Sequence, residues 1–261
     1  MVAERALLES SPKDKARLDS SNGLLRLLWA RSGDPRPVST APIRSKPYRT
    51  YDPRRDAPEP EGSHVPMALA ALHATDRARF DDVVSAIATY GKQSGLFSKL
   101  NVKRLGQKPG DPFQLFVTVG KHAFNLTDVG YGVSQILPIL FDTLTAPSGQ
   151  TFLLQQPEVH LHPRAQAALG SVLASQAASR KQTFLVETHS DYVVDSVRMS
   201  VRDGGAASLS HRDVVILYFE RKEGQATVHA IDLDARGNLV NAPPNYRDFF
   251  LAEERRLLGI G

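Results

Sequence analysis

The sequence predicts an α/β fold with a mostly parallel sheet and flanking helices, and two observations carry that expectation. Residues 151–220 alternate strand-like and helical stretches: Phe152-Leu153-Leu154, a helix over 163–179, Thr183–Val186, a helix over 192–201, and a strand over 213–220. Strand–helix–strand repeats of this kind require parallel strands joined by crossover helices. The first two strands also end abruptly in polar residues, Gln155-Gln156 and Glu187-Thr188-His189-Ser190-Asp191. An open α/β sheet places its chemistry at the carboxyl ends of its strands.

The chain of 261 residues has room for one large domain or two modest ones. It contains no cysteine, which removes disulfides, thiolate chemistry and Cys-based zinc sites and fits a cytoplasmic protein. The formal net charge of +4 permits contact with nucleic acid without requiring it. No apolar run approaches the roughly 18 residues of a membrane span, and the charged N-terminus lacks the apolar core of a secretory signal, so no membrane partner is expected.

Three stretches are expected. The first, residues 1–63, begins with a charged helix-prone segment containing Leu24, Leu25, Leu27, Leu28 and Trp29. It continues as an arm in which Pro35, Pro37, Pro42, Pro47, Pro53, Pro58 and Pro60 oppose regular structure. Arg36, Arg44, Lys46, Arg49, Arg54 and Arg55 make that arm basic, suited either to phosphate contact or to a solvated connector.

The second stretch, 64–145, opens with two helices. Met67, Leu69, Ala70 and Leu72, then Phe80, Val83, Val84 and Ile87, recur at helical spacing, with Asp76 as the cap between them. After Gly91, two strands are read, over 113–119 and 122–126, turning at Gly120-Lys121. Asp128, Gly130, Gly132 and Ser134 then precede an apolar helix from Ile136 to Leu144, with Pro138 assigned to its first turn. Small residues before a helix N-terminus present free N–H groups and a positive dipole end to an anion, although a plain helix cap explains them equally. The run is neither a dinucleotide fingerprint, because Gln135 stands where a third glycine belongs, nor a nucleophile elbow, because Ile136 does.

The third stretch, 146–261, holds the alternating strands and helices. It then has a hairpin from a strand over 213–220 to one over 226–233, turning at Lys222-Glu223-Gly224, and a terminal amphipathic helix over 246–258. His160, His162 and His189 follow the two strand ends, so one reading is a His-ligated metal hydrolase with Glu158 or Asp191 assisting. Helix capping and loop hydrogen bonding would use the same histidines.

Taken together, the motifs resemble the C-terminal part of an ABC-type AAA ATPase, a P-loop NTPase close to the SMC, RecF and overcoming-lysogenization-defect ATPases. DVGYGVSQILPIL is similar to their signature motif, LLQQPEVHLHP to their Walker B strand and D-loop, more usually LLIEEPEIHLHP, and LVETHSD to their switch-histidine motif. APIRSKPYRTYDP and EPEGSHVPM resemble a segment carried ahead of the signature, so the likeness spans roughly residues 41–258. It implies the distal part of an ATPase head with a small helical and hairpin signature lobe. It implies ATP and Mg2+ as cofactors, and Gly130, Gly132, Ser134 and Gln135 as contacts to a nucleotide bound by a partner. Gln155 would stand at the magnesium-associated position and Gln156 at the general base. His160, Leu161 and His162 would form the D-loop, and His189 would sense the γ-phosphate.

Two departures qualify what the resemblance implies. No G-x-x-x-x-G-K-S/T occurs; Gly120-Lys121 lacks both the preceding glycine and the following hydroxyl residue. The chain therefore reads as a fragment, a split-gene product or a degenerate ATPase, with an unpaired apolar sheet edge and poor solubility expected in isolation. Gln155 and Gln156 are amides where the family has acids, and an amide neither satisfies magnesium as a carboxylate does nor takes a proton from water. Glu158 and Glu187 are the candidate replacements for the base. The expected function is ATP binding, with hydrolysis conditional on a Walker A from elsewhere, at a head-to-head homodimer or with a Walker A-bearing partner. DNA repair, chromosome maintenance or phage defence would be the setting, with DNA as a further partner. A non-catalytic, ATP-gated interaction module is the alternative.

Overall fold

The computed structural model describes residues 36–53, 57–108, 110–204, 209–222 and 224–259. The charged start over 1–35, with its leucines and Trp29, and Arg54 and Arg55 of the basic arm lie outside the described residues. The described residues fall into two compact units, 36–209 and 210–259.

In the first unit, β1 (Val38–Thr40), β5 (Thr151–Gln155) and β6 (Thr183–Glu187) form a parallel sheet in the order β1-β5-β6. Val38 pairs with Phe152 and Thr40 with Leu154, while Phe152 pairs with Phe184 and Gln155 with Glu187. All the strand carboxyl ends therefore lie along one edge of the sheet. Side chains alternate across it. Phe152 and Leu154 are buried, and Phe152 stacks on Phe184 with ring centroids 5.3 Å apart. The other face carries Leu153, Gln155, Leu185 and Glu187, all exposed. Among the described residues β5 is the central strand, because the segment between Pro37 and Pro42 pairs with it as β1, and β1 and β6 are the edges of this sheet.

Four of the five helices of this unit shape the site: α2 (Arg77–Ser94), α3 (Tyr131–Thr145), α4 (Pro163–Arg180) and α5 (Asp191–Asp203); α1 (Val65–Thr75) precedes them. Asp76 ends α1 and caps α2, accepting the Arg79 N–H at 3.0 Å, as its spacing predicts. An antiparallel sheet of β2 (Lys99–Arg104), β3 (Phe113–Val119) and β4 (His122–Asn125) packs its inner residues, Leu100, Val102, Phe113, Leu115 and Val117, into the same core as α1–α4 and β5. Only β3 and β4 are foreseen from sequence. β2 alternates buried Leu100 and Val102 with Lys99, Asn101 and Lys103, a pattern masked by its charges.

The helix α3 begins at Tyr131, five residues before the expected start, and Pro138 lies inside it rather than in its first turn. A mid-helix proline removes one backbone donor and crowds the preceding turn. Pro138 is nonetheless buried, with Gly62 closely apposed: a Cβ added at Gly62 would lie 2.4 Å from the proline ring, and Gly62 itself holds φ +74°. The proline thus seats the signature helix against the loop that precedes α1.

The second unit contains β7 (Val215–Lys222), β8 (Gln225–Leu233) and β9 (Leu239–Val240) in an antiparallel sheet, and α6 (Asp248–Leu258). The expectation that the strand after α5 extends the parallel sheet is corrected. β7 pairs along its whole length with β8, from Val215–Asp232 to Lys222–Gln225, because the hairpin turn at Gly224 (φ +85°) brings its partner from the next segment. Asp234 serves a turn, accepting the N–H groups of Arg236 and Asn238, each at 2.8 Å.

Candidate functional site

The motif-bearing segments meet along the carboxyl edge of the parallel sheet. After β5 the chain turns sharply, and two non-glycine residues hold left-handed backbone, Gln156 (φ 42°) and His160 (φ 67°). Such conformations cost about 1–3 kcal/mol each and survive only where surrounding contacts impose them. Here the Gln156 N–H donates to the Glu187 carbonyl at 2.8 Å, and the Leu161 N–H closes the turn onto the Glu158 carbonyl at 2.9 Å.

The carboxylates divide by environment. Glu158 is only 7% exposed. Its Oε1 accepts the His189 N–H at 2.8 Å, tying the β5 turn to the β6 turn, while Oε2 is buried without a hydrogen-bond partner. Arg44, 2% exposed, is its electrostatic counterpart: burial lowers the guanidinium to about 10, and the charges of Glu158 and Tyr131 oppose that shift. Arg44 donates to the Pro157 carbonyl at 3.3 Å and to the Ala41 carbonyl at 3.1 Å. This arm residue, read as suited either to phosphate contact or to a solvated connector, is an internal strut. Glu187, by contrast, is exposed and accepts the Gln156 side-chain amide at 3.2 Å.

The signature helix is locked to the same cluster. Gln135 is fully buried, accepts the Arg44 N–H at 3.0 Å and donates to the Arg44 carbonyl at 3.2 Å. Its amide thus holds the arm and presents nothing to a ligand. Ser134 is also buried, and its hydroxyl donates back to the Tyr131 carbonyl at 2.8 Å. A cavity of about 400 Å³ lies on that side of the helix, lined among others by Lys46, Tyr48, Asp52, Met67, Ser134 and Pro138, and includes none of the strand-end residues. At the helix start the surface is backbone: Gly130 has extended φ and ψ of −56° and 142°, and a Cβ there would meet nothing within 4 Å. Gly132 lies flat against the turn that follows β5, where a Cβ would be 2.6 Å from the His160 carbonyl oxygen, and the Tyr131 ring meets His160 edge-on at 4.8 Å.

His162 caps α4, accepting the Ala165 N–H at 3.4 Å, and Leu161 is buried beneath the turn. Ser190 caps α5 and donates to Gln166 at 2.6 Å, linking the switch loop to α4. Among the described residues, no group of three or more His, Asp or Glu side chains could hold a metal ion. The His160, His162 and His189 ligand set is not assembled, because the first packs on Tyr131 and the second caps a helix. Arg44 as a buried strut is the site feature that sequence reasoning missed; an arginine near Pro42 in a basic arm carries no signal of burial.

The donor set fits one side of a nucleotide. Backbone N–H groups at the start of α3 suit a phosphate. Glu187, with the Gln155 and Gln156 amides, suits a magnesium already carried by phosphates rather than one held by protein alone. Among the described residues, no helix is long and apolar enough to cross a membrane.

Comparison with known proteins gives one family. The profile described as "AAA domain, putative AbiEii toxin, Type IV TA system" matches residues 4–195, more than half of the chain. No curated protein matches. Solved structures with partial likeness include an Smc head domain with an extended coiled coil bound to the C-terminal domain of ScpA from Pyrococcus furiosus. It shows 12% identity and a TM-score of 0.42, over 68% of this chain and 38% of that one. Another is an SMC ATPase studied for ATP-driven dimerisation and DNA-stimulated activation, with 14% identity and a TM-score of 0.40, over 68% of this chain and 95% of that one. An Smc head with a coiled coil and joint from Pyrococcus yayanosii shows 12% identity and a TM-score of 0.40, over 71% of this chain and 32% of that one.

Proposed function

The chain belongs to this AAA-domain family, and we propose that it is an ATP-binding subunit that engages a nucleotide along the carboxyl edge of its parallel sheet. One observation carries the reading. Three motif segments form one cluster: Glu158 binds the His189 N–H, and Gly132 abuts the His160 carbonyl. A contact at any one of them is therefore felt by the others.

In this proposal the backbone N–H groups of residues 130–132 meet the terminal phosphate, and His189 lies on the loop that Glu158 holds. A Walker A cradle comes from a Walker A-bearing partner ATPase or, where two copies pair as a homodimer, from another part of the protein. Bound Mg2+ would supply charge neutralisation at the phosphates. Gln155 and the D-loop residues His160, Leu161 and His162 shape the same edge. A cytoplasmic setting in DNA maintenance or phage defence belongs to the same proposal; stimulation of nucleotide turnover by duplex DNA is its test.

A second reading, a gate that binds without hydrolysing, is favoured by the neutral amide of Gln156 at the base position. Hydrolysis by the chain assembled with its Walker A partner separates the two.

Gly130→Asp tests nucleotide binding cleanly. The position is sterically open, and aspartate is a good helix N-cap, so the folded state should hold or gain about a few tenths of a kcal/mol. The same carboxylate would repel a phosphate. Equilibrium binding of a fluorescent ATP analogue should weaken on the order of tenfold, about 1.4 kcal/mol. Unchanged binding would count against the helix start as the phosphate contact.

A further inference from the structure

We propose that Glu187, on the strand beside β5, is the carboxylate that faces the metal end of a bound metal–nucleotide, with Gln156 as its positioning residue. The inference rests on the nucleotide-binding reading above and identifies which group replaces the acids that Gln155 and Gln156 lack.

Register comes first. Glu187 is the cross-strand partner of Gln155, and both are exposed on the same face at the strand ends. A carboxylate at 187 therefore occupies the edge next to the position where the family's magnesium-associated acid would project. Simple alternation would send residue 156 to the covered face. Its left-handed backbone instead returns the side chain to Glu187, where the amide donates to Oε1. The Gln156 N–H fixes the Glu187 carbonyl as well, so one residue orients both the backbone and the side chain of the other. Among the described residues, Oε2 of Glu187 has no protein partner and is free to face a cation.

Charge explains why the amide belongs at 156. A carboxylate there would stand at hydrogen-bond distance from Glu187, and two like charges so close oppose each other's ionisation. The neutral amide removes that repulsion and donates a hydrogen bond. The negative charge of the edge is thus moved by one strand rather than lost. Glu158 does not compete for the role, because it is buried, opposed by Arg44 and bonded to the His189 N–H.

The test compares the affinity of the full 261-residue chain for ATP with Mn2+, bound metal being read by electron paramagnetic resonance, against its affinity for ATP in EDTA. The wild type should prefer the metal form by at least about tenfold. Glu187→Gln should bring the ratio close to one while the metal-free affinity stays within about twofold. The exchanged pair Gln156→Glu with Glu187→Gln should recover the preference, which a merely structural role for Glu187 would not produce. A Glu187→Gln chain that keeps the wild-type ratio overturns the proposal. So does a wild type that binds both forms equally, which leaves the nucleotide-binding reading intact. A wild type that binds neither form, alone or assembled with its Walker A partner, removes both.

Discussion

Glu158 and Arg44 show how little a charged side chain's sequence position says about its work. Both are buried, and Glu158 opposes the lowering that burial imposes on the Arg44 guanidinium. Removing one partner of such a pair leaves an uncompensated buried charge, typically worth about 3–5 kcal/mol, whereas replacing both with apolar groups is much milder. Glu158→Leu should therefore destabilise strongly, and Glu158→Leu with Arg44→Met by less than the sum of the two single changes, as read by urea unfolding. Additive losses would mean that the two residues act independently. Gln155, Gln156 and the histidines were legible as strand-end residues because polar groups interrupt an apolar run. The inward turn of Ser134 and Gln135 was not, because one helical turn separates a buried face from an open one and spacing alone does not say which is which.

At the level of elements, the signature helix is set by two close approaches, Pro138 against Gly62 and Gly132 against the D-loop. Gly132→Ala isolates the second. Alanine favours a helix over glycine by about 1 kcal/mol, but its Cβ would press on a backbone carbonyl that has no flexible way to yield. Net destabilisation of about 1–3 kcal/mol is expected, with weaker nucleotide binding as the D-loop is pushed away. Added stability would show that the loop moves freely. Helices α1, α2, α4 and α5 followed from periodicity and caps. β1 did not, because three residues between prolines acquire strand character only from the partner β5, 114 residues downstream.

The whole molecule joins a family assignment, a cluster of strand-end motifs and one open sheet face. Among the described residues, that face exposes Leu153 at 36% and Leu185 at 49% beside Gln155 and Glu187, so the strand-end polar groups and an apolar patch adjoin. The parallel pairing of β5 with β6 was legible in the alternation of strands and helices, and the hairpin of β7 and β8 in the Gly224 turn; that this hairpin forms a sheet of its own with β9 was not, because a strand after a helix reads alike in either arrangement. The central claim, that a nucleotide is engaged by the clustered turns, is tested most directly by amide hydrogen exchange of the chain with and without Mg2+ and ATP. Slowed exchange should concentrate at residues 130–133, 156–161 and 187–190, with 215–240 unchanged. Exchange that stays the same at all three turns, or slows only elsewhere, would contradict it.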